Sequence, residues 1–223
     1  MFSVAEHDAG WQARALARSL AGAHGRSVAR LERLLDGARE LANETGSAAF
    51  TVARVAERAG MSLKGFYSCF AGKDDLLLAL IEEDSRMGAT LLADEVNARD
   101  DPVDRLHAYV HGLFAMLAHP GAMGYAGMLV REHRRLDEER PDDLRRALGP
   151  LVDMLANELA ASREAGGARS PDPERDAQIV FRLLLSGIHQ VTLGRREPAD
   201  EAADLWRICW SGLESRPNDR EER

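Results

Sequence analysis

Residues Thr51–Leu77 read TVARVAERAGMSLKGFYSCFAGKDDLL, and they decide the fold. Thr51 is a helix cap, since its hydroxyl can accept one of the orphan N–H groups of a first turn. Val52, Val55, Ala56 and Ala59 then recur at helical spacing for barely two turns. Gly60 stops that helix as a C-terminal glycine does. Ser62 is the next cap, and Phe66 and Phe70 lie four apart on one face of a second short helix. Ala71-Gly72 breaks it. Lys73-Asp74-Asp75 opens a further helix with two acids in its first turn, where the helix dipole favours them. Two short helices about a glycine turn, the second with a tight apolar face, are the grammar of a helix-turn-helix.

Working outward, Ser27 caps a preceding helix whose Val28, Leu31, Leu35, Ala38 and Ala42 form an apolar stripe, ended by Gly46. Val55, Ala56, Phe66 and Phe70 are expected to pack on it, with Met61 filling the angle between the two short helices. That packing leaves Leu63, Lys64, Tyr67 and Ser68 facing outward, with Gly65 allowing close approach. A phenol beside an ammonium suits a duplex. The hydroxyl can donate to a phosphate while the ring lies on sugar or a thymine methyl, and Lys64 can reach a phosphate or a guanine edge. Thr51, Ser62 and Lys73 stand at helix starts, where backbone N–H groups favour phosphate oxygens. The expected DNA-contacting set is therefore Thr51, Ser62, Leu63, Lys64, Gly65, Tyr67, Ser68 and Lys73.

This block resembles the TetR family of bacterial repressors. The resemblance is carried by Thr51, Gly60, Ser62, Phe66, Tyr67, Phe70, Lys73, Asp74 and Leu76, and it covers roughly residues 28–80. The sequence departs from the family's habit at Gly65, where Thr or Ala is common, and at Ser68 and Cys69, which replace a His and an aromatic residue. The resemblance implies a dimer on a palindromic operator, with the last two long helices of each chain forming the interface. It implies middle helices that enclose a ligand pocket, and a ligand that resets the separation of the two recognition helices.

The rest of the 223-residue chain is compatible with an all-α architecture. Hydrophobic residues make up 45% and aromatics only 5%, so the apolar positions fall mostly to Leu, Ala and Val. Pro102, Pro120, Pro141, Pro171/Pro173 and Pro198 stand at or near the starts of helical patterns, where proline is tolerated. The segments 102–119, 121–139, 141–165, 173–194 and 198–215 all carry helical period, and none alternates as a strand does. The expected division is an N-terminal arm at 1–26, a three-helix DNA-binding domain at 27–72, a helical ligand-binding and dimerisation domain at 73–215, and a frayed tail at 216–223. A short amphipathic helix around Trp11–Leu20 and a minor-groove arm of Arg14, Arg18 and Arg26 are further expectations.

Charge narrows the function. The chain carries −8, which excludes coating of nucleic acid by bulk charge but leaves one local surface free to bind it. Only Lys64 and Lys73 are lysines, and the acid is concentrated beyond residue 80. Cys69 and Cys209 are the only cysteines, which fits a reducing cytoplasm rather than a disulfide scaffold. Arg14 and Arg18 interrupt the stretch where a signal core would lie, so no export signal is expected. His107 and His111 lie four apart without an evident third metal ligand, and Glu82, Glu83 and Asp84 read as a solvated run. No catalytic constellation stands out, so neither an enzyme nor a cofactor is expected.

Two further groups are expected on the larger domain. Phe114, Met116, Met123, Tyr125 and Met128 form a soft apolar set suited to a ligand lining, with His189, and also His111 and His133, able to orient a polar group. The segments 174–194 and 199–213 are apolar nearly all round, which points to a partner chain. Phe181, Leu184, Leu185, Ile188, Trp206 and Trp210 are the expected interface. The sequence thus points to a cytoplasmic homodimeric regulator whose partners are double-stranded DNA and a small, largely apolar effector. The competing reading is a helical small-molecule binder with a degenerate helix-turn-helix.

Overall fold

The structure, a computed structural model, describes residues 27–119 and 122–214. The arm, the Trp11–Leu20 segment, Pro120 and the tail lie outside the described residues. Among those described, the fold is all helical, with one isolated bridge between Ala168 and Glu214. The helices are α1 (27–45), α2 (Val52–Arg58), α3 (Leu63–Tyr67), α4 (Lys73–Asn97), α5 (Pro102–Ala115), α6 (Ala122–Glu139), α7 (Pro141–Glu164), α8 (Pro173–Thr192) and α9 (Pro198–Leu213). A 3₁₀ turn, Met116–Ala118, follows α5. Prolines open α5, α7, α8 and α9, as the sequence suggests. The helix over 141–165 also runs through Pro150 without a break.

The local chemistry of the N-terminal helices follows the caps. The Thr51 hydroxyl accepts from the Arg54 N–H at 3.3 Å, and the Ser62 hydroxyl accepts from the Gly65 N–H at 3.1 Å. Gly60 turns the chain with φ +64°, a conformation that costs other residues a Cβ clash. Helix α3 ends three residues before Phe70, yet the Phe70 N–H still bonds the Phe66 carbonyl at 3.0 Å. Both rings therefore turn inward.

Two apolar cores stack along α4. The first gathers Leu34, Ala38, Leu41 and Ala42 of α1 with Val55, Ala56, Phe66 and Phe70, then Leu76, Leu77, Leu80 and Ile81. Met128 and Leu136 of α6 and Leu144 and Ala147 of α7 close it. The second takes Leu92 and Val96 of α4 with Tyr109, Phe114, Leu155, Phe181, Leu184 and Val191. One continuous helix therefore contributes to both cores.

Salt bridges fasten α6 and α7 to the N-terminal part. Arg135 pairs with Asp74, and Arg140 pairs with Asp75, whose carboxylate also accepts the Ala71 N–H. The Arg140 guanidinium holds the Asp75 carboxyl below the usual carboxylate range. Arg131 donates to the Gly46 carbonyl at the end of α1.

Candidate nucleic-acid interface and ligand cavity

Inward burial of Phe66 fixes what α3 shows to solvent. Phe66 is wholly buried, and its neighbour Tyr67 is 55% exposed. The Tyr67 ring stands edge-on to Phe66 with centroids 5.5 Å apart, so its hydroxyl end is braced and projects. Leu63, Lys64 and Ser68 are exposed on the same short helix, with Gly65 half-buried between them. The Ser68 hydroxyl donates to the Gly65 carbonyl at 2.6 Å. A Cβ on Gly65 would come within 3.2 Å of the Met61 methyl, so a larger residue there would press on the plug of the turn. Thr51 and Ser62 are exposed at their caps. Lys73 is half-buried: its ammonium donates to the Ala48 carbonyl and sits 5.1 Å from the centre of the Phe50 ring. One of its three donors is thus committed to the loop before α2, which leaves two for a phosphate.

An apolar cavity of about 190 Å³ lies between the two cores, walled by α4, the α5 end, α6, α7 and α8. Its walls include Ile81, Leu113, Met116, Leu117, Leu129, Leu148, Leu151 and Ile188, with Asp84, Ser85 and His133 as the polar members. Of the expected lining, Met116 is on this wall. Tyr125 reaches it indirectly, by donating its hydroxyl to Asp84. His189 lines an adjoining groove of about 400 Å³ between α6 and α8. Its Nδ1 is buried without a partner among the described residues. The other three expectations need correction. Phe114 and Met128 are wholly buried in the second and first cores respectively, and Met123 packs half-buried on the second. On α6 the cavity side is Ala126, Leu129, Val130 and His133, whereas Met128 lies about 150° round the helix from their centre and packs in the first core.

The carboxylate run also needs correction. Glu82 is exposed, but the Asp84 side chain is only 21% exposed and binds two partners. Arg39 of α1 donates to it at 2.9 Å, and the Tyr125 hydroxyl of α6 donates to its other oxygen. Burial pushes the Asp84 carboxyl up, against the pull of Tyr125 and Arg39. Asp84 follows Leu80 and Ile81 at helical spacing, and that is the signal by which the sequence could have placed it inward. The linkage joins the cavity wall to the first helix of the DNA-binding part.

The residues expected at a dimer interface divide. Phe181, Leu184 and Ile188 are buried inside their own subunit, and Phe181, Leu185 and Ile188 face the cavity. Within the subunit they are core and cavity wall rather than outer surface. Ile179, Leu183 and Ile208 are the large apolar side chains that α8 and α9 leave exposed. Trp206 and Trp210 are half-buried and stacked, with ring centroids 5.2 Å apart. His107 and His111 stack 4.0 Å apart beside Trp206. Among the described residues no cluster of three or more ligands could hold a metal.

Desolvation depresses the pKa of His133, aided by Arg182 and opposed by Asp137, and that of His111, aided by His107. A depressed imidazole keeps its proton off in the folded state while the unfolded chain takes one up. Stability is therefore full above the ordinary histidine pKa of about 6.5 and is lost as pH falls below it. Melting temperatures measured between pH 7.5 and 5.5 should fall, and His133→Gln should flatten part of that slope.

An exposed reading helix braced on a three-helix core, joined to a larger helical body, defines a helix-turn-helix DNA-binding transcriptional regulator. Residues 34–80 match the family model described as "Bacterial regulatory proteins, tetR family". Residues 34–80 thus form a TetR-family DNA-binding domain. No curated protein matches it in sequence. Among solved structures, FadR from Bacillus subtilis in complex with stearoyl-CoA superposes with a TM-score of 0.68 at 18% identity, over 82% of this chain and 99% of that one. Reduced NemR from E. coli gives 0.63 at 18% identity, over 84% and 98%. RolR in complex with resorcinol gives 0.61 at 20% identity, over 83% and 89%. At these identities the likeness is one of fold. No single helix among the described residues is long and apolar enough to cross a membrane.

Proposed function

We propose that the protein is a homodimeric repressor that binds a palindromic operator and is released by a small, largely apolar effector. The observation that carries the DNA half is the projecting Tyr67 beside exposed Lys64 on a helix anchored by buried Phe66. The effector half is supported by the apolar cavity, and by FadR and RolR, which hold ligands on the same fold. The two halves meet on α4 and α6. Helix α4 lines the cavity with Asp84, Ser85 and Gly88, and α6 lines it while holding Asp74 and the Gly46 carbonyl through Arg135 and Arg131. A ligand that prefers one spacing of these helices changes operator affinity by its differential affinity for the two states.

Titration of the full-length protein with duplex DNA from upstream of its own gene tests this reading. Binding should favour an inverted repeat and weaken steeply with salt. Equal affinity for a scrambled duplex at every salt concentration would favour the degenerate helix-turn-helix instead.

The exposed Ile179, Leu183 and Ile208 support a two-fold face on α8 and α9. Leu183→Glu combined with Ile208→Glu should yield monomers by sedimentation, since two charges per subunit would be buried against their own copies. An intact dimer in that variant would place the interface elsewhere.

A further inference from the structure

The groove between α6 and α8 adjoins the apolar cavity, and the two share Val130, His133 and Leu185 as wall. Its charge is one-sided. Arg131, Arg134 and Arg182 line it with the imidazoles of His133 and His189, and no carboxylate is among its walls. This occurs in a chain with 37 acids against 29 basic residues, and on helices that carry acids of their own. Asp137, one turn beyond His133, lines the next crevice, which shares His133 and Arg182 with the groove.

The three guanidiniums are poorly neutralised. Arg182 makes no ion pair or hydrogen bond among the described residues. Arg134 reaches Glu138 only at 3.9 Å, with both side chains mostly exposed. Arg131 spends a donor on the Gly46 carbonyl, a neutral group. The unpartnered Nδ1 of His189 stands in the same wall. At the α4 wall of the cavity, Asp84 is a carboxylate already satisfied by Arg39 and Tyr125. A ligand therefore meets positive charge in the α6–α8 groove, apolar walls within, and negative charge at α4.

We propose that the effector is an amphipathic anion, with an aliphatic or aryl body in the cavity and a carboxylate or phosphate head held by Arg131, Arg134 and Arg182. This rests on the cavity being the effector site. A guanidinium fork matches the oxygens of such a head, and the groove repels a cationic one. The volumes agree. The cavity alone is smaller than the ~300–1,000 Å³ of ordinary ligand sites, and cavity with groove falls inside that range. The head also reaches the DNA-binding part, because drawing Arg131 onto an anion takes it from Gly46 and loosens one tie between α6 and α1.

Calorimetric titration of the full-length protein with octanoate, octyl phosphate, 1-octanol and octylamine tests this. At least one anion should bind tenfold or more tighter than octanol, with octylamine weakest, and the stronger of the two anions names the head. Arg134→Gln with Arg182→Gln should bring the anions down to the affinity of octanol and leave octanol unchanged. Ser85→Phe, or the milder Ala126→Leu, should weaken all probes by filling the cavity, with circular dichroism confirming the helical fold. Octanol binding as well as both anions, or anion affinity untouched in the arginine variant, would overturn the anionic class. Sensitivity to Ser85→Phe would then still uphold the cavity. Saturable binding of none of the four probes would overturn both.

Discussion

Tyr67→Ala is expected to weaken binding to operator DNA about a hundredfold while leaving the melting temperature and oligomeric state unchanged. The phenol is 55% exposed and touches its own subunit mainly through the edge contact to Phe66, so truncation removes little packing. What it removes is the projecting end of the reading helix. A well-placed contact in the major groove contributes ~1–3 kcal/mol, and a dimer loses it twice. At ~1.4 kcal/mol per tenfold, a loss of ~1.4 kcal/mol in each of the two subunits, low in that range, is two orders of magnitude. Fluorescence anisotropy with the upstream duplex reads the effect directly. Affinity within twofold of the parent would mean that another face of the domain meets DNA.

Phe66→Ala acts through the other side of the same helix and should reach stability first. The ring is wholly buried, tilted on Phe70 at 5.7 Å, in a core shared with Leu34 and Ala38 of α1 and Val55 and Ala56 of α2. Removing a buried phenylalanine costs ~3–5 kcal/mol through lost transfer energy and the cavity left behind. For a chain of this size that is a fall of roughly 6–20 °C in melting temperature. DNA binding should go with it, because α3 is five residues long and keeps its direction only through that core. Thermal melts and hydrogen exchange over residues 27–72 check this. A parent-like melt would show that the ring is not the anchor.

The contrast between these neighbours shows what was legible beforehand. Caps, a glycine turn and two aromatics four apart suffice for the helix-turn-helix, because each is a local choice of backbone or face. Prolines at the starts of α5, α7, α8 and α9 are local in the same sense. The larger domain is harder because an apolar periodicity names a buried face without naming what buries it. Helix α8 is apolar nearly all round, and only packing shows that Leu184 goes to the core, Leu185 to the cavity wall, and Leu183 to solvent. Grouping the methionines around Pro120 by residue type likewise mixes a cavity wall, Met116, with a core residue, Met128. Asp84 was read by its neighbours in sequence, Glu82 and Glu83, whereas its surroundings come from Arg39 and Tyr125, about forty residues away on either side.

That an outward tyrosine and lysine read a duplex is best tested by selecting binders of the full-length protein from a pool of fully randomised duplexes. The result expected is enrichment of an inverted repeat whose half-site centres lie about one helical turn, or a multiple of it, apart, and loss of that enrichment in Tyr67→Ala. A pool that stays random through repeated rounds, or that enriches equally for the variant, would contradict it.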